Sequence, residues 1–189
     1  MCGPIQNPVE PFSTRSVNDD GARGTLQEVD RRLSAVAALH TELIGRETTE
    51  TVQADRFMSR VVTALQDIAP SEVQISFSSG DIVLPARDAT ALGVIANEVV
   101  ANALKHAFPD GRPGHVTLSL LETDSDGIIF TCADDGIGEA SRDRTSDGRS
   151  VGSHLIEAAA DQLGAHLSRD SDADGTRLRV TFDRPQLTA

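Results

Sequence analysis

Hydrophobic residues follow two different periods along this chain, and the changes of period divide it into predicted elements. Apolar positions recur every three or four residues over 25–44, 52–68, 86–108 and 151–163, a spacing typical of amphipathic helices. A helix-breaking glycine or proline follows each of the first two stretches. The pattern therefore predicts four helices, separated by segments of a different character.

Between the last three helices and after the last one the period falls to two, which predicts β-strands. Residues 73–77 and 82–84 flank a Ser-Gly-Asp turn and are predicted to form a short strand pair. Further strands are predicted at 116–121, 128–133, 165–168 and 176–182. This order of elements indicates an α+β fold, a two-layer α/β sandwich whose mixed sheet carries helices on one face, preceded by a helical segment.

Composition predicts the domain boundaries and limits the classes of molecule that the chain can bind. Residues 1–24 hold three prolines and three glycines among polar residues, so a disordered arm is predicted before a helical segment at 25–70 and a domain at 71–189. The formal charge of -12 repels DNA, RNA and anionic lipid. A nucleotide is not excluded, because local donors and a metal create such a site.

The cysteines and the hydropathy indicate a compartment. Cys2 and Cys132 are far apart in the sequence, which argues against a disulfide framework. No apolar run is long enough to span a bilayer, and the polar N-terminus does not resemble a secretory signal. We therefore expect a cytoplasmic protein without a membrane segment or a nucleic-acid partner.

The third predicted helix carries the first candidate chemistry. Glu98, Asn102 and Lys105 are spaced i, i+4, i+7 and share one edge of that helix. A different face is apolar and can pack on a sheet; it consists of Leu92, Ile95, Val99, Ala103 and Ala107. A carboxylate, an amide oxygen and an ammonium in one row suit a metal-nucleotide site. An ordinary solvated helix face carries the same residue types, so this row alone leaves both interpretations open.

Glycine-rich stretches follow downstream. Residues 134–138 read Asp-Asp-Gly-Ile-Gly at a strand end, where glycines allow positive φ and close approach of a ring or phosphate, although a plain turn is the alternative. Small residues around Gly152 open the last helix, whose free N–H groups suit phosphate. Thr176 follows a glycine at the start of the last strand.

With these motifs in this order, the chain from 73 to 182 resembles the catalytic ATP-binding domain of histidine kinases, in the GHKL ATPase superfamily. The matching motifs are the N box at 97–108, the G1 box at 134–138, the G2 box at 150–156 and the closing strand at 175–182. The amino-acid sequence of the N box is most similar to that of HWE-type and related bacterial sensor kinases. The resemblance implies a Bergerat-type ATP-binding fold with ATP and Mg²⁺ as cofactors.

The resemblance also implies roles at the phosphate end of the nucleotide. Asn102 would hold Mg²⁺, and Glu98 would be the polarising acid of the N box. Lys105 and His106 would contact phosphate oxygens, and Gly152 with the N–H groups after it would receive phosphate. The alternatives are that both cations simply cap the helix C-terminus and that the glycine only permits a tight helix entry.

At the base end, the resemblance implies that Asp134 reads the adenine amine and that Gly136 and Gly138 make room for the base. Thr176 would assist through water. Ser153 departs from the family, where leucine usually follows the glycine of the G2 box, and this puts the closing contact of the lid in question.

The resemblance does not extend to the histidine that accepts the phosphoryl group in the family. Only His40 of the five histidines lies on a predicted helix of the right kind, and its surroundings resemble the second helix of the family's dimerisation hairpin. A structural role for His40 is favoured, so transfer to a histidine of a partner protein, relayed to a response regulator, is the leading hypothesis. The helical segment could also form a homodimer.

Two other functions remain open at this point. An anti-sigma-factor serine kinase shares the fold and boxes, but the helices before residue 70 argue against it. A phosphotransfer or scaffold protein that has lost ATP turnover is the other, and the intact Asn102 and Asp134 argue against that loss.

Overall fold

The computed structural model describes residues 51–124, 126–138 and 151–186. The predicted disordered arm, the predicted helix at 25–44 and His40 lie outside the described residues. Within them are three α-helices: α1 (Ala54–Ile68), α2 (Ala86–His106) and α3 (Val151–Leu163), with a 3-10 turn at Pro109–Gly111. These confirm the last three predicted helices. None of the described helices is long and apolar enough to cross a membrane.

Seven strands form two sheets in the described part of the chain. They are β1 (Thr51–Gln53), β2 (Val73–Ser79), β3 (Val83–Pro85), β4 (Gly114–Glu122), β5 (Gly127–Asp134), β6 (His166–Asp172) and β7 (Gly175–Asp183). The main sheet has the order β2-β4-β5-β7-β6, in which β2 and β4 are parallel and every other pair is antiparallel. The sheet is therefore mixed, as predicted.

The predicted pair between residues 73–77 and 82–84 is wrong. Strand β2 pairs with β4, and β3 pairs with β1 in a separate two-stranded sheet. In the observed arrangement Ile82 and Leu84 are buried, at 1% and 0% exposed. The backbone N–H of Ala54 donates to Ile82 O at 2.8 Å, so the start of α1 also holds this segment away from β2.

The core lies between the main sheet and the helices. Helix α1 packs on β2, α2 packs on β4 and β5, and α3 packs on α2. Burial alternates along β4, where Val116 and Leu118 face the helices while His115 and Thr117 are exposed. The largest fully buried side chains include Phe130, Met58, Ile82, Leu92, Ile95, Leu120 and Ile128. A mixed sheet with helices on one face is thus the two-layer arrangement that the sequence predicts.

Candidate functional site

A cavity of about 270 Å³ opens between α2, α3 and the last strands of the main sheet. Its lining consists of Val99, Asn102, Ala103, Asp134, Ser153, Ile156, Glu157, Leu167, Arg169, Thr176 and Leu178. Three predicted site residues, Asn102, Asp134 and Thr176, therefore meet in one cavity although they lie on three different elements. The volume is close to the lower end of ordinary small-molecule pockets, about 300 Å³.

The floor of the cavity is built from cross-strand rows of β5, β7 and β6. Asp134 lies directly opposite Thr176, which lies opposite Ser171. Residues opposite each other in antiparallel strands point to the same face, so these three form one polar row. The next row on that face includes Leu178 and Arg169. The floor thus changes from an all-polar row to a row that contains the apolar Leu178 within one step along the strands.

Helix α2 supplies a wall, and the row of three polar residues on it runs from the core to solvent. Glu98 is 1% exposed, Asn102 is half-buried, and Lys105 is exposed. The Asn97 side-chain amide lies 3.5 Å from Glu98 Oε1, so the two buried polar residues are in contact. The row therefore presents its amide, rather than its carboxylate or its ammonium, to the cavity.

Lys105 and His106 occupy the last turn of α2 and are exposed. Among the described residues, neither contributes to the lining of the cavity. Cations at this end of a helix are stabilised by the carbonyl groups there. Both the capping role and the phosphate role therefore stay predictions.

Both glycines of the loop after β5 pack closely against the backbone of other segments. A Cβ atom at Gly136 would lie 2.6 Å from Ala107 O, and the N–H of Ile137 donates to that oxygen at 3.1 Å. Gly138 has φ of 62°, and a Cβ there would overlap the carbonyl oxygen of Asp172. Room for a base at these glycines stays a prediction, whereas their contacts with α2 and with the end of β6 are direct.

Asp134 is itself part of this loop structure. Its Oδ1 accepts the backbone N–H of Gly136 at 3.0 Å, which closes a short turn directly after the strand. The turn holds the carboxylate at the edge of the sheet while the side chain still lines the cavity.

Asp135 has a different function from its neighbour, and sequence reasoning missed it. His115 donates its backbone N–H to Asp135 Oδ1 at 2.7 Å, and its ring Nδ1 lies 3.0 Å from Oδ2. Arg112 Nη2 also donates to the backbone carbonyl of Asp135 at 3.1 Å. Partial burial raises the pKa of Asp135, but the His115 backbone and ring outweigh it, so the pKa lies below its ordinary value. The pair ties the loop to the start of β4.

The start of α3 meets the cavity through Ser153. Gly152 is buried in the first turn, and Ser153 beside it is part of the lining. Ser153 is the residue that departs from the family pattern, so the departure concerns the wall of the cavity itself. Ser150 lies outside the described residues.

Several lining residues carried no recognisable signal in the sequence. Arg169 and Leu167 come from edge strand β6, and Glu157 from the second turn of α3. Alternation with a period of two would have placed Arg169 and Leu167 on one strand face. Only the register with β7 shows that this face is the cavity floor.

The residue set fits Mg²⁺ only together with a nucleotide. No cluster of three His, Cys, Asp or Glu side chains suited to a metal occurs in the described ranges. Asn102 offers one amide oxygen to the cavity. Protein-bound Mg²⁺ commonly keeps waters and takes its other ligands from substrate phosphates, so a single protein ligand is sufficient.

Comparison with known proteins gives the family. A family model described as histidine kinase-like ATPase domain matches residues 58–182, and one described as histidine kinase matches residues 11–69. The chain therefore belongs to the histidine kinase-like ATPase domain family. The second match includes His40 and part of the predicted arm, and the boundaries of the predicted domains stay predictions.

The curated relatives are bacterial sensor kinases. The chain is 23% identical over 183 residues to Blue-light-activated histidine kinase 2 of Erythrobacter litoralis, covering 94% of this chain and 53% of that protein. It is 29% identical over 177 residues to Sensor histidine kinase PdtaS of Mycobacterium tuberculosis, covering 90% and 35%. The chain thus spans about half the length, or less, of these two relatives.

Solved structures share the fold. The histidine kinase domain of the Erythrobacter litoralis EL346 blue-light activated histidine kinase matches with a TM-score of 0.71 at 23% identity, over 84% of this chain and 75% of that one. The mycobacterial sensor histidine kinase MprB matches with a TM-score of 0.55 at 20% identity, over 72% and 100%. These matches confirm the predicted fold class.

Proposed function

We propose that this chain binds Mg²⁺-ATP in the cavity and serves as the phosphate-donating module of a two-component histidine kinase. The observation that carries the proposal is the meeting of Asn102, Asp134 and Thr176 in one cavity. They come from a helix and two strands, and each supplies a group suited to a different part of a nucleotide. Membership of the family supports the same assignment.

The base is assigned to the end of the cavity near the sheet. The Asp134 carboxylate accepts hydrogen bonds, which suits an exocyclic amine, and Thr176 lies opposite it in the register. Val99, Ile156 and Leu178 supply apolar surface around this polar row. An apolar slot with few polar groups is the usual composition of a site for a flat ring.

The phosphates are assigned to the end of the cavity formed by α2 and the start of α3. Asn102 would hold Mg²⁺, which neutralises phosphate charge, while Lys105 and His106 lie one turn further along α2. Gly152 places backbone N–H groups at the N-terminus of α3, where the helix dipole favours an anion. Phosphoryl transfer needs mainly such positioning and charge neutralisation from a protein.

The phosphate acceptor is assigned to a histidine. A histidine of a partner chain is the preferred candidate, and His40 is the second. The histidine kinase match over residues 11–69 favours histidine chemistry over the serine chemistry of an anti-sigma kinase. His40 is the one histidine within that stretch of sequence. Relay to a response regulator is the further step that the resemblance to two-component histidine kinases implies.

Calorimetric titration with a non-hydrolysable ATP analogue tests the donor site. The wild type is expected to bind the analogue more tightly with Mg²⁺ than without it. Asn102→Ala should lose that Mg²⁺-dependent gain, whereas Thr181→Val, an exposed position of β7, should keep it. If the wild type does not bind the analogue, the proposed function is wrong.

Labelling the same preparation with γ-labelled ATP tests the acceptor. A phosphohistidine is labile in acid and stable in base, and it is expected to form when the histidine-bearing partner is added. Label of this kind that needs no partner and survives His40→Ala would contradict both acceptor assignments. Acid-stable phosphoserine on a partner would instead support the anti-sigma alternative.

A further inference from the structure

Asp135, the first residue after β5, marks the point where the chain leaves the main sheet. Its backbone N–H donates to His115 O at 3.2 Å, which continues the ladder between β4 and β5 by one residue. In a regular antiparallel pair the His115 N–H would donate to the Asp135 carbonyl in return. That N–H instead donates to the Asp135 carboxylate, with Oδ1 at 2.7 Å. The side chain has therefore replaced its own backbone carbonyl in the ladder.

This replacement lets the backbone carbonyl of Asp135 turn away from β4, and it accepts a hydrogen bond from Arg112 Nη2 at 3.1 Å. The second carboxylate oxygen, Oδ2, lies 3.0 Å from His115 Nδ1, so one residue contacts both oxygens. Gly114 leaves room for Oδ1, since a Cβ there would lie 2.7 Å from that oxygen. The contacts between Asp135 and His115 form an exit clasp, because they fix the direction in which the chain leaves the sheet.

The carboxylate of Asp134 depends on the same turn of the chain. Asp134 Oδ1 accepts the N–H of Gly136 at 3.0 Å, so its position follows the direction that the backbone takes at Asp135. On the far side of the turn, the N–H of Ile137 donates to Ala107 O at 3.1 Å. The turn is thus fastened to the start of β4 and to the end of α2, and the carboxylate that lines the cavity lies at its beginning.

We propose that Asp135 is a positioning residue, which through the exit clasp holds the Asp134 carboxylate in the orientation that binds the nucleotide. The inference rests on the proposed function and deepens it, because it assigns a role in ligand affinity to a residue outside the cavity. Successive residues of an extended chain point to opposite faces, and Asp135 is exposed. It acts through Asp134 and need not touch the nucleotide.

Calorimetric titration of the full chain with a non-hydrolysable ATP analogue and Mg²⁺ tests the proposal. Asp135→Ala removes the clasp and is expected to weaken binding about tenfold, because a binding group is then misplaced. Asp135→Asn keeps an acceptor oxygen for the His115 N–H, so its affinity should stay within about threefold of the wild type. Asp135→Glu keeps the charge but moves it by one methylene, and it should behave like the alanine variant.

Thr123→Val is the matched control. Thr123 Oγ1 accepts the N–H of Gly127 at 3.0 Å, so this bond also joins a side chain to the backbone at one end of β5. It lies at the opposite end of that strand from Asp134 and the cavity. The substitution should leave the affinity for the analogue unchanged, whatever it does to the urea unfolding curve.

A double substitution distinguishes positioning from general loosening of the loop. In an Asp134→Asn background the carboxylate that the exit clasp orients is absent. Asp135→Ala should then weaken binding by no more than about twofold, since two residues that act through one contact are not additive. A merely structural role of Asp135 would give the same loss in both backgrounds.

The outcomes separate this inference from the proposed function. The positioning role is overturned, while the proposed function stands, if the wild type binds the analogue and Asp135→Ala binds it equally well. The same conclusion follows if Asp135→Asn loses as much affinity as Asp135→Ala, or if the loss is equal in the Asp134→Asn background. If the wild type does not bind, both fail. Should the alanine variant not fold, the comparison of Asp135→Glu with Asp135→Asn replaces it, because both keep a polar side chain.

Discussion

At the scale of single residues, two glycines show that a position can require glycine for two different reasons, its backbone conformation or the lack of space for a side chain. Gly138 and Gly164 share the same φ of 62°, in the left-handed region. A Cβ at Gly138 would overlap a backbone oxygen of Asp172, whereas a Cβ at Gly164 would meet nothing within 4 Å. The first glycine therefore serves conformation and packing, and the second serves conformation alone.

The difference between alanine substitutions at these two glycines should measure the free-energy cost of the packing conflict by itself. Gly164→Ala is expected to lower the free energy of unfolding by about 1–2 kcal/mol, the cost of a left-handed residue with a Cβ. Gly138→Ala should cost at least about 1–3 kcal/mol more, because the loop must move off the end of β6. Urea unfolding of both variants provides the comparison. Equal losses would mean that the contact with Asp172 carries no packing constraint.

At the scale of elements, α2 connects the core, the cavity and the loop after β5. The buried Asp88 lies in its first turn, and Asn102 lines the cavity. Ala107, which follows the last residue of the helix, accepts the N–H of Ile137 on its carbonyl. The backbone carbonyl of Arg87 in its first turn accepts the Gln162 side-chain amide of α3 at 3.0 Å. A change at either end of this helix therefore reaches the walls of the site.

Asp88 in the first turn of α2 should make stability depend on pH. It is 5% exposed, and burial raises its pKa, although Arg87 Nε at 3.1 Å from Oδ1 partly opposes the shift. A raised pKa in the folded state stabilises the protein below the unfolded pKa of about 3.9, and this contribution is lost as pH rises through the folded pKa.

Asp88→Asn removes that titration. The variant is expected to lose less stability than the wild type as pH rises from about 4 toward 7, the range above the unfolded pKa. Urea unfolding across this range is the measurement, and Asp183→Asn, an exposed position at the end of β7, is the control. Parallel curves for Asp88→Asn and the wild type would show that burial does not perturb this carboxyl.

At the scale of the whole molecule, the cavity exists only when distant elements are assembled. Its lining comes from α2, α3, β5, β6 and β7, so the unfolded chain offers no equivalent site. A ligand that binds only the folded state must therefore raise the free energy of unfolding by mass action. This links the proposed function to a measurement that needs no catalysis.

The Mg²⁺-bound ATP analogue at 100 times its dissociation constant is expected to raise the free energy of unfolding by about 2.7 kcal/mol. Asp134→Asn should lose most of this gain at the same concentration, because an amide has a single acceptor oxygen and no charge, whereas the carboxylate has a second oxygen besides the one that accepts the Gly136 N–H. Asp183→Asn, with the same chemical change at an exposed position, should keep it. Equal stabilisation of both variants would place the ligand outside the cavity.

The sequence predicted helices α1 to α3 within a few residues. In α1 and α2 buried residues recur along the helix, and the periodicity records that burial. In α3 only Gly152, Ala159 and Ala160 are buried.

The sequence also singled out Asn102, Asp134 and Thr176, which line one cavity in the folded chain. It failed for β3, since the pairing of Val52 with Leu84 depends on a strand before α1 that has no pattern of its own over three residues.

By itself, the sequence determined the order of elements, the mixed sheet and the motif residues, because these follow from local periodicity and from short stretches of chain. Only the tertiary structure decided that Ser171, Thr176 and Asp134 form one row, and that Arg169 and Ser153 face the same cavity. Strand register and helix docking are set by burial between segments far apart in sequence, and a shift of one residue would turn each strand's side chains to the other face.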